Sequence, residues 1–122
     1  DAIASAAIGL MILPRTWALL REAVDVLLEA TPKGVDLTEV RQHLSDTNGV
    51  IGVHDLHAWT ITSGLPVLSA HVVVAQEALA DGCGGSVLDQ LGQCLAGHFD
   101  VQHCTFQLEA PGHLDHEIAH HA

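Results

Sequence analysis

At 122 residues the chain suits one small domain with an added segment, and its 48% hydrophobic content can supply a modest core. The net charge of −11 is unevenly spread: Arg15, Arg21, Lys33 and Arg41 are the basic residues, and the nine carboxylates that follow Arg41 meet no Lys or Arg. That sign argues against nucleic acid as a partner, and against anionic lipid for the C-terminal part, and favours cations.

Ten histidines stand out, because neutral imidazole is the commonest transition-metal ligand. They form no run of six, which argues against a purification tag, and four of them (His113, His116, His120 and His121) fall in the last ten positions. Cys83, Cys94 and Cys104 make no CxxC pair, which points to a reducing compartment rather than a disulfide framework. The sequence opens at Asp1 without a signal peptide and is read as a piece of a longer chain.

In chain order, Ala2 to Leu13 is apolar apart from Ser5 but shorter than the roughly 20 residues a bilayer needs. Pro14, Arg15 and Trp17 directly behind it are membrane-exit signals, so it reads as the end of a membrane helix with the following residues cytosolic. Trp17 to Glu29 keeps helical spacing through Leu19, Leu20, Val24, Leu27 and Leu28, with Arg21 and Asp25 placed to pair. Thr31-Pro32-Lys33-Gly34 ends it and is read as a hinge, with Glu29 a polar latch beside it. Asp36 should cap a second helix with Val35, Leu37, Val40 and Leu44 on its apolar side.

Val50 to Ile61 reads as a strand, Thr62-Ser63-Gly64 as a hairpin turn, and Leu65 to Val74 as the partner strand. On that partner Leu68, Ala70, Val72 and Val74 face one way, and Ser69 and His71 the other. After a glycine-rich loop from Asp81 to Gly85, Ser86 to Phe99 should be a helix striped by Leu88, Leu91, Leu95 and Phe99. Val101 to Glu109 reads as the last strand, with Cys104, Phe106 and Leu108 on one face and His103, Thr105, Gln107 and Glu109 on the other. After the first helix the order is αββαβ. The two helices must cover one face of a three-stranded sheet, an α+β ferredoxin-like arrangement whose other face carries the histidines and carboxylates. The expected divisions are 1–30 for the membrane end and linker helix, 31–110 for the domain, and 111–122 for a disordered His-rich tail.

His54 and His57 lie three apart on a strand, where alternation separates their faces unless a bulge intervenes. One of them should therefore share a site with His71. A short turn at Ser63–Gly64 sets His71 opposite Leu56 or His57 and diagonal to His54. Cys94 and Cys104 are expected in the core, as free cysteines commonly are. The zincin spacing, a nucleophile elbow and a phosphate loop are all missing, so an enzyme is not expected.

Val53-His54-Asp55-Leu56-His57-Ala58-Trp59, Thr62-Ser63-Gly64 and Leu68-Ser69-Ala70-His71-Val72-Val73-Val74 together resemble the cytosolic domain of cation diffusion facilitators. Asp1 to Ser5, Leu20 to Glu29 and His103 to Glu109 are similar to that family's last membrane helix, linker and final strand. The resemblance implies the regulatory, dimerising part of a multi-pass inner-membrane antiporter that exports a divalent metal in exchange for protons. It implies a homodimer anchored through the N-terminal helix, with the chain beyond about residue 15 in the cytoplasm. The cation would be Zn2+, or Co2+, Cd2+ or a similar divalent transition metal. By the same resemblance the metal-binding positions are His54, His71, Glu109 and Gln107, the last standing where the family often has a histidine. The alternative is a free-standing ferredoxin-like metal-sensing module, which an apolar Ala2–Leu13 run buried in the domain's own core would favour.

Overall fold

The computed structural model describes residues 1–80, 82–101 and 103–113. His116, His120 and His121 of the expected tail, Asp81 of the expected loop and Gln102 of the expected last strand lie outside the described residues.

The apolar run and the periodic segment behind it form one helix, α1 (Ala2–Leu27), that passes through Pro14. Proline removes a single backbone donor, and the bonds on either side carry the helix past it. No residue of α1 is buried, and an 18-residue window within it has a mean hydropathy of 1.6. By length and composition it can cross a membrane. At its end Ala30 N–H donates to Asp25 O (2.9 Å) and Glu29 N–H to Val26 O (3.1 Å). This is a Schellman closure with Glu29 in the left-handed position, φ 51°, where glycine is usual. The ion pair that Asp25 forms is with Lys33 across the turn (3.8 Å), not with Arg21 as the spacing suggested.

α2 (Leu37–Ser45) starts at Asp36, whose Oδ1 accepts from Thr38 N (2.8 Å) and Glu39 N (3.4 Å). β1 (Val50–Thr62) and β2 (Leu65–Val74) form the expected antiparallel hairpin. A short helix, α3 (Gln76–Ala80), follows, and then α4 (Gly84–His98) and β3 (His103–Glu109), which runs parallel to β2. The sheet order is β1-β2-β3. α3 was not expected, and Gly84 and Gly85, read as loop, open α4.

Val40 and Leu44 of α2 and Val87, Leu91 and Leu95 of α4 are buried against Leu56, Ala58, Leu68, Ala70, Val72 and Val74 of the sheet, with Val101 beside them. The helices thus share one face, as the apolar alternation of β2 requires. The stripe of α4 begins at Val87 rather than Leu88, which is 39% exposed. Val87, Leu91 and Leu95 recur every four residues, whereas Leu88 sits one residue off that line.

The hairpin register differs from the expectation by two residues if His71 is set opposite Leu56, and by three if opposite His57. β1 shifts between Thr60 and Thr62 and again between His54 and His57, so each irregularity adds one residue to β1. His71 therefore faces His54 instead of Leu56 or His57. Asp55 lies inside the second bulge at φ 45°, a left-handed conformation that aspartate tolerates better than most side chains.

Replacing fully buried Leu91 by Ala should cost about 2–5 kcal/mol, whereas Leu88→Ala should change stability by about 0.5 kcal/mol or less. Urea unfolding of the two variants checks this assignment of the stripe, and equal losses would contradict it.

Candidate metal centre

The bulge at Asp55 restores alternation on either side of itself. Leu56 and Ala58 point into the core, while His54 and His57 emerge on the opposite face against His71 and Ser69. In the next lane His71 is paired with Gln107 of β3. His54, His71 and Gln107 therefore form one row across all three strands, with Glu109 one step along. Arg41 of α2 anchors this part of β1 by donating from Nη1 to the carbonyl of Val53.

Among the described residues Glu109 is the one buried charged side chain, 3% exposed. His54 Nε2 meets its Oε2 at 2.9 Å, and Gln107 Nε2 donates to its Oε1 at 2.8 Å. His71 Nδ1 lies 2.8 Å from the same Oε1 as an ion-pair contact. The two imidazoles cross edge to face, with ring centroids 5.1 Å apart. Burial pushes the Glu109 carboxyl up, but the hydrogen bonds from His54 and Gln107 and the charges of His54 and His71 outweigh it, and the net shift is downward. Glu109 is thus an ionised acceptor, so His54 Nε2 carries the proton between them. His54 Nδ1 is left on the side of Asp55, whose Oδ2 is 4.0 Å away.

His54, His71 and Glu109 converge. Gln107 reaches the carboxylate rather than either imidazole. His57 emerges on the same face but lines a separate groove with Glu29, Thr31, Leu37, Trp59 and Ser69. Asp55 is a member the sequence reading passed over: its carboxylate and nitrogens of His54 and His71 all lie within 4.8 Å of one another. The HDLH run names the residue, but only the bulge, which sequence periodicity does not reveal, brings it to this face. Cys104 packs against the core as expected, and burial pushes its thiol up. Cys94 is half-buried beside His43 and His98.

Two imidazoles, a buried ionised carboxylate and a second carboxylate on one face of a sheet form a donor set suited to a divalent transition metal. Residues 32–111, well over half of the chain, match the family model described as cation efflux protein, cytoplasmic domain. The chain belongs to that family. It is 45% identical over 109 residues to the metal cation efflux system protein CzcD of Cupriavidus metallidurans, covering 89% of this chain and 34% of that protein. It is 38% identical to the proton-coupled zinc antiporter SLC30A2 of Mus musculus, covering 89% of this chain and 28% of that one. The chain thus spans about a third of the length of these relatives.

The solved metal-bound C-terminal domain of the CzcD transporter superposes with a TM-score of 0.55 at 44% identity, covering 62% of this chain and 99% of that one. The copper form of the MamM C-terminal domain, 15% identical with a TM-score of 0.54 over 70% of this chain and 87% of that one, shares the fold. The α+β architecture, a three-stranded sheet with helices on one face, is that of cation efflux C-terminal domains.

A carboxyl whose native value is lowered stabilises the fold above its unfolded value and loses that contribution as pH falls through the native one. Glu109→Gln should therefore cost about 1–3 kcal/mol near neutral pH. The difference from the wild type should close in acid, below the ordinary glutamate value of 4.5. Paired denaturant titrations across pH check this, and a difference that does not change with pH would contradict it.

Proposed function

We propose that this chain is the cytosolic regulatory and dimerisation part of a divalent-metal/proton antiporter that exports metal from the cytoplasm. Ala2 to Leu13 is the end of its last membrane helix, in the inner membrane of a multi-pass protein, and the chain beyond about residue 15 is cytoplasmic. The exposed apolar surface of α1, on which Ile3 is 85% exposed, supports this over a free-standing sensor, whose first helix would cover its own core. The relatives named as a metal cation efflux protein and a proton-coupled zinc antiporter support the same reading.

His54, His71 and Glu109 hold a zinc-class cation, and Asp55 adds negative charge beside them. The observation that carries this is the buried, ionised Glu109 lying between two imidazoles from different strands. The metal takes the place of the proton between Glu109 and His54. Gln107, the fourth residue the resemblance indicated, is a positioning residue: its amide holds the carboxylate oxygen that His71 also approaches. Two such acidic domains repel across a two-fold axis, so metal on the face bearing Val67, His71 and Gln107 favours the closed homodimer. The turn from Thr31 to Gly34, with Glu29 beside it, passes that movement to α1. The domain supplies regulation, and transport itself requires the rest of the transporter.

Zinc calorimetry of the wild-type chain at neutral pH should give binding that weakens by about tenfold or more in His71→Ala. It should fade in acid, because protonated imidazole has no lone pair for the metal. Undiminished zinc affinity in His71→Ala would place the site elsewhere.

A further inference from the structure

We propose that His43, Cys94 and His98 form a second metal site, for a zinc-class cation such as Zn2+, Cd2+ or Co2+, on the helical side of the domain, where the metal clips α2 to α4. It is separated from the His54–His71–Glu109 cluster by the sheet and by the core that α2 and α4 bury.

Cys94 and His98 stand four apart at the end of α4, which brings their side chains onto one face of the helix. His43 lies in the last turn of α2, and the packing of Leu44 and Leu95 into the same core sets the two helix ends side by side. One ligand atom from each of the three side chains lies within 4.8 Å of the other two. Closing the remaining distance onto one ion takes side-chain rotation rather than movement of the helices.

Two contacts prepare the imidazoles. His98 Nδ1 lies 3.0 Å from the carbonyl of Cys94. A carbonyl only accepts, so Nδ1 carries the proton and Nε2 presents its lone pair. A backbone carbonyl on the far nitrogen is the usual outer-shell arrangement of a metal-bound histidine. His43 crosses the His98 ring edge to face at 4.9 Å and the Phe99 ring at 5.2 Å, which limits its rotation.

Packing alone would account for a His–Phe cluster with a half-buried cysteine, but it would not require ligand atoms from all three polar groups to converge. A thiolate with two imidazoles is a donor set for borderline-soft cations and a poor one for Mg2+ or Ca2+. His43 and Cys94 are half-buried, while His98 is exposed. Solvent therefore reaches one side of the cluster, giving the ion a way in and a fourth coordination position for water. The ion replaces the Cys94 thiol proton, which passes to solvent.

Co2+ is the probe, because a sulfur ligand gives it a near-ultraviolet charge-transfer band that imidazole and carboxylate do not. In a Cys83→Ser/Cys104→Ala background Cys94 is the remaining thiol. Cobalt added to that chain should raise the band to saturation, and added zinc should abolish it. The band should persist when His54 and His71 are both replaced by Ala, which separates this site from the one on the sheet. It should disappear in Cys94→Ser. In His98→Gln, a change at an exposed position that leaves the core untouched, the midpoint should rise by about tenfold or more. No charge-transfer band at cobalt saturation of the background protein would overturn the proposal, as would a band whose intensity and midpoint are unchanged in both His43→Gln and His98→Gln.

Discussion

A carboxylate with almost none of its surface in water must be met by donors, and the sheet is arranged to meet Glu109. The last residue of β3 is held at once by His54 of β1, His71 of β2 and its own neighbour Gln107. These contacts tie all three strands together on the face away from the core. Loss of any partner strands an ionised group in a place that water scarcely reaches, so a substitution at either histidine acts on the fold as well as on the proposed ligand set.

The meeting depends on an irregular β1. Its bulges let thirteen residues of β1 run beside ten of β2, and the bulge at Asp55 turns His54 toward His71 while Leu56 still reaches the core. A regular strand would place a core residue opposite His71 and leave Glu109 with one imidazole. The cost is a left-handed backbone at a non-glycine residue, and Arg41, bonded to the Val53 carbonyl, holds the strand just ahead of it. A second left-handed residue, Glu29, closes α1 where the long helix gives way to the domain. Of the three left-handed non-glycine residues, Asp55 thus lies at the cluster and Glu29 at the junction that would carry its movement to α1, while Asp100 lies in the turn between α4 and β3.

Much of the fold was legible because it rests on periodicity. The bounds of β2 and its buried face followed from strict alternation, and the Asp36 cap and the αββαβ order from local chemistry. The register did not follow, because a bulge leaves no mark in hydrophobic spacing, and Asp55 was passed over for the same reason. Val87 was displaced by Leu88 in the expected stripe of α4 because both are apolar and only packing against the sheet chooses between them. The His43–Cys94–His98 cluster joins two helices, and only its Cys94–His98 half has a spacing that a sequence can show. Cys94, read as a core residue, is half-buried between the two kinds of environment.

The proposed metal site lies where Glu109 joins the two imidazoles across the sheet. The imidazole nitrogen chemical shifts of the 15N-histidine-labelled chain, followed by NMR as zinc is added near neutral pH, test it most directly. Large shifts are expected at the first equivalents for His54 and His71, while His57 and His103 stay near their starting positions. Early shifts confined to His57, His103 or the tail, with His54 and His71 still bonded to Glu109, would contradict it.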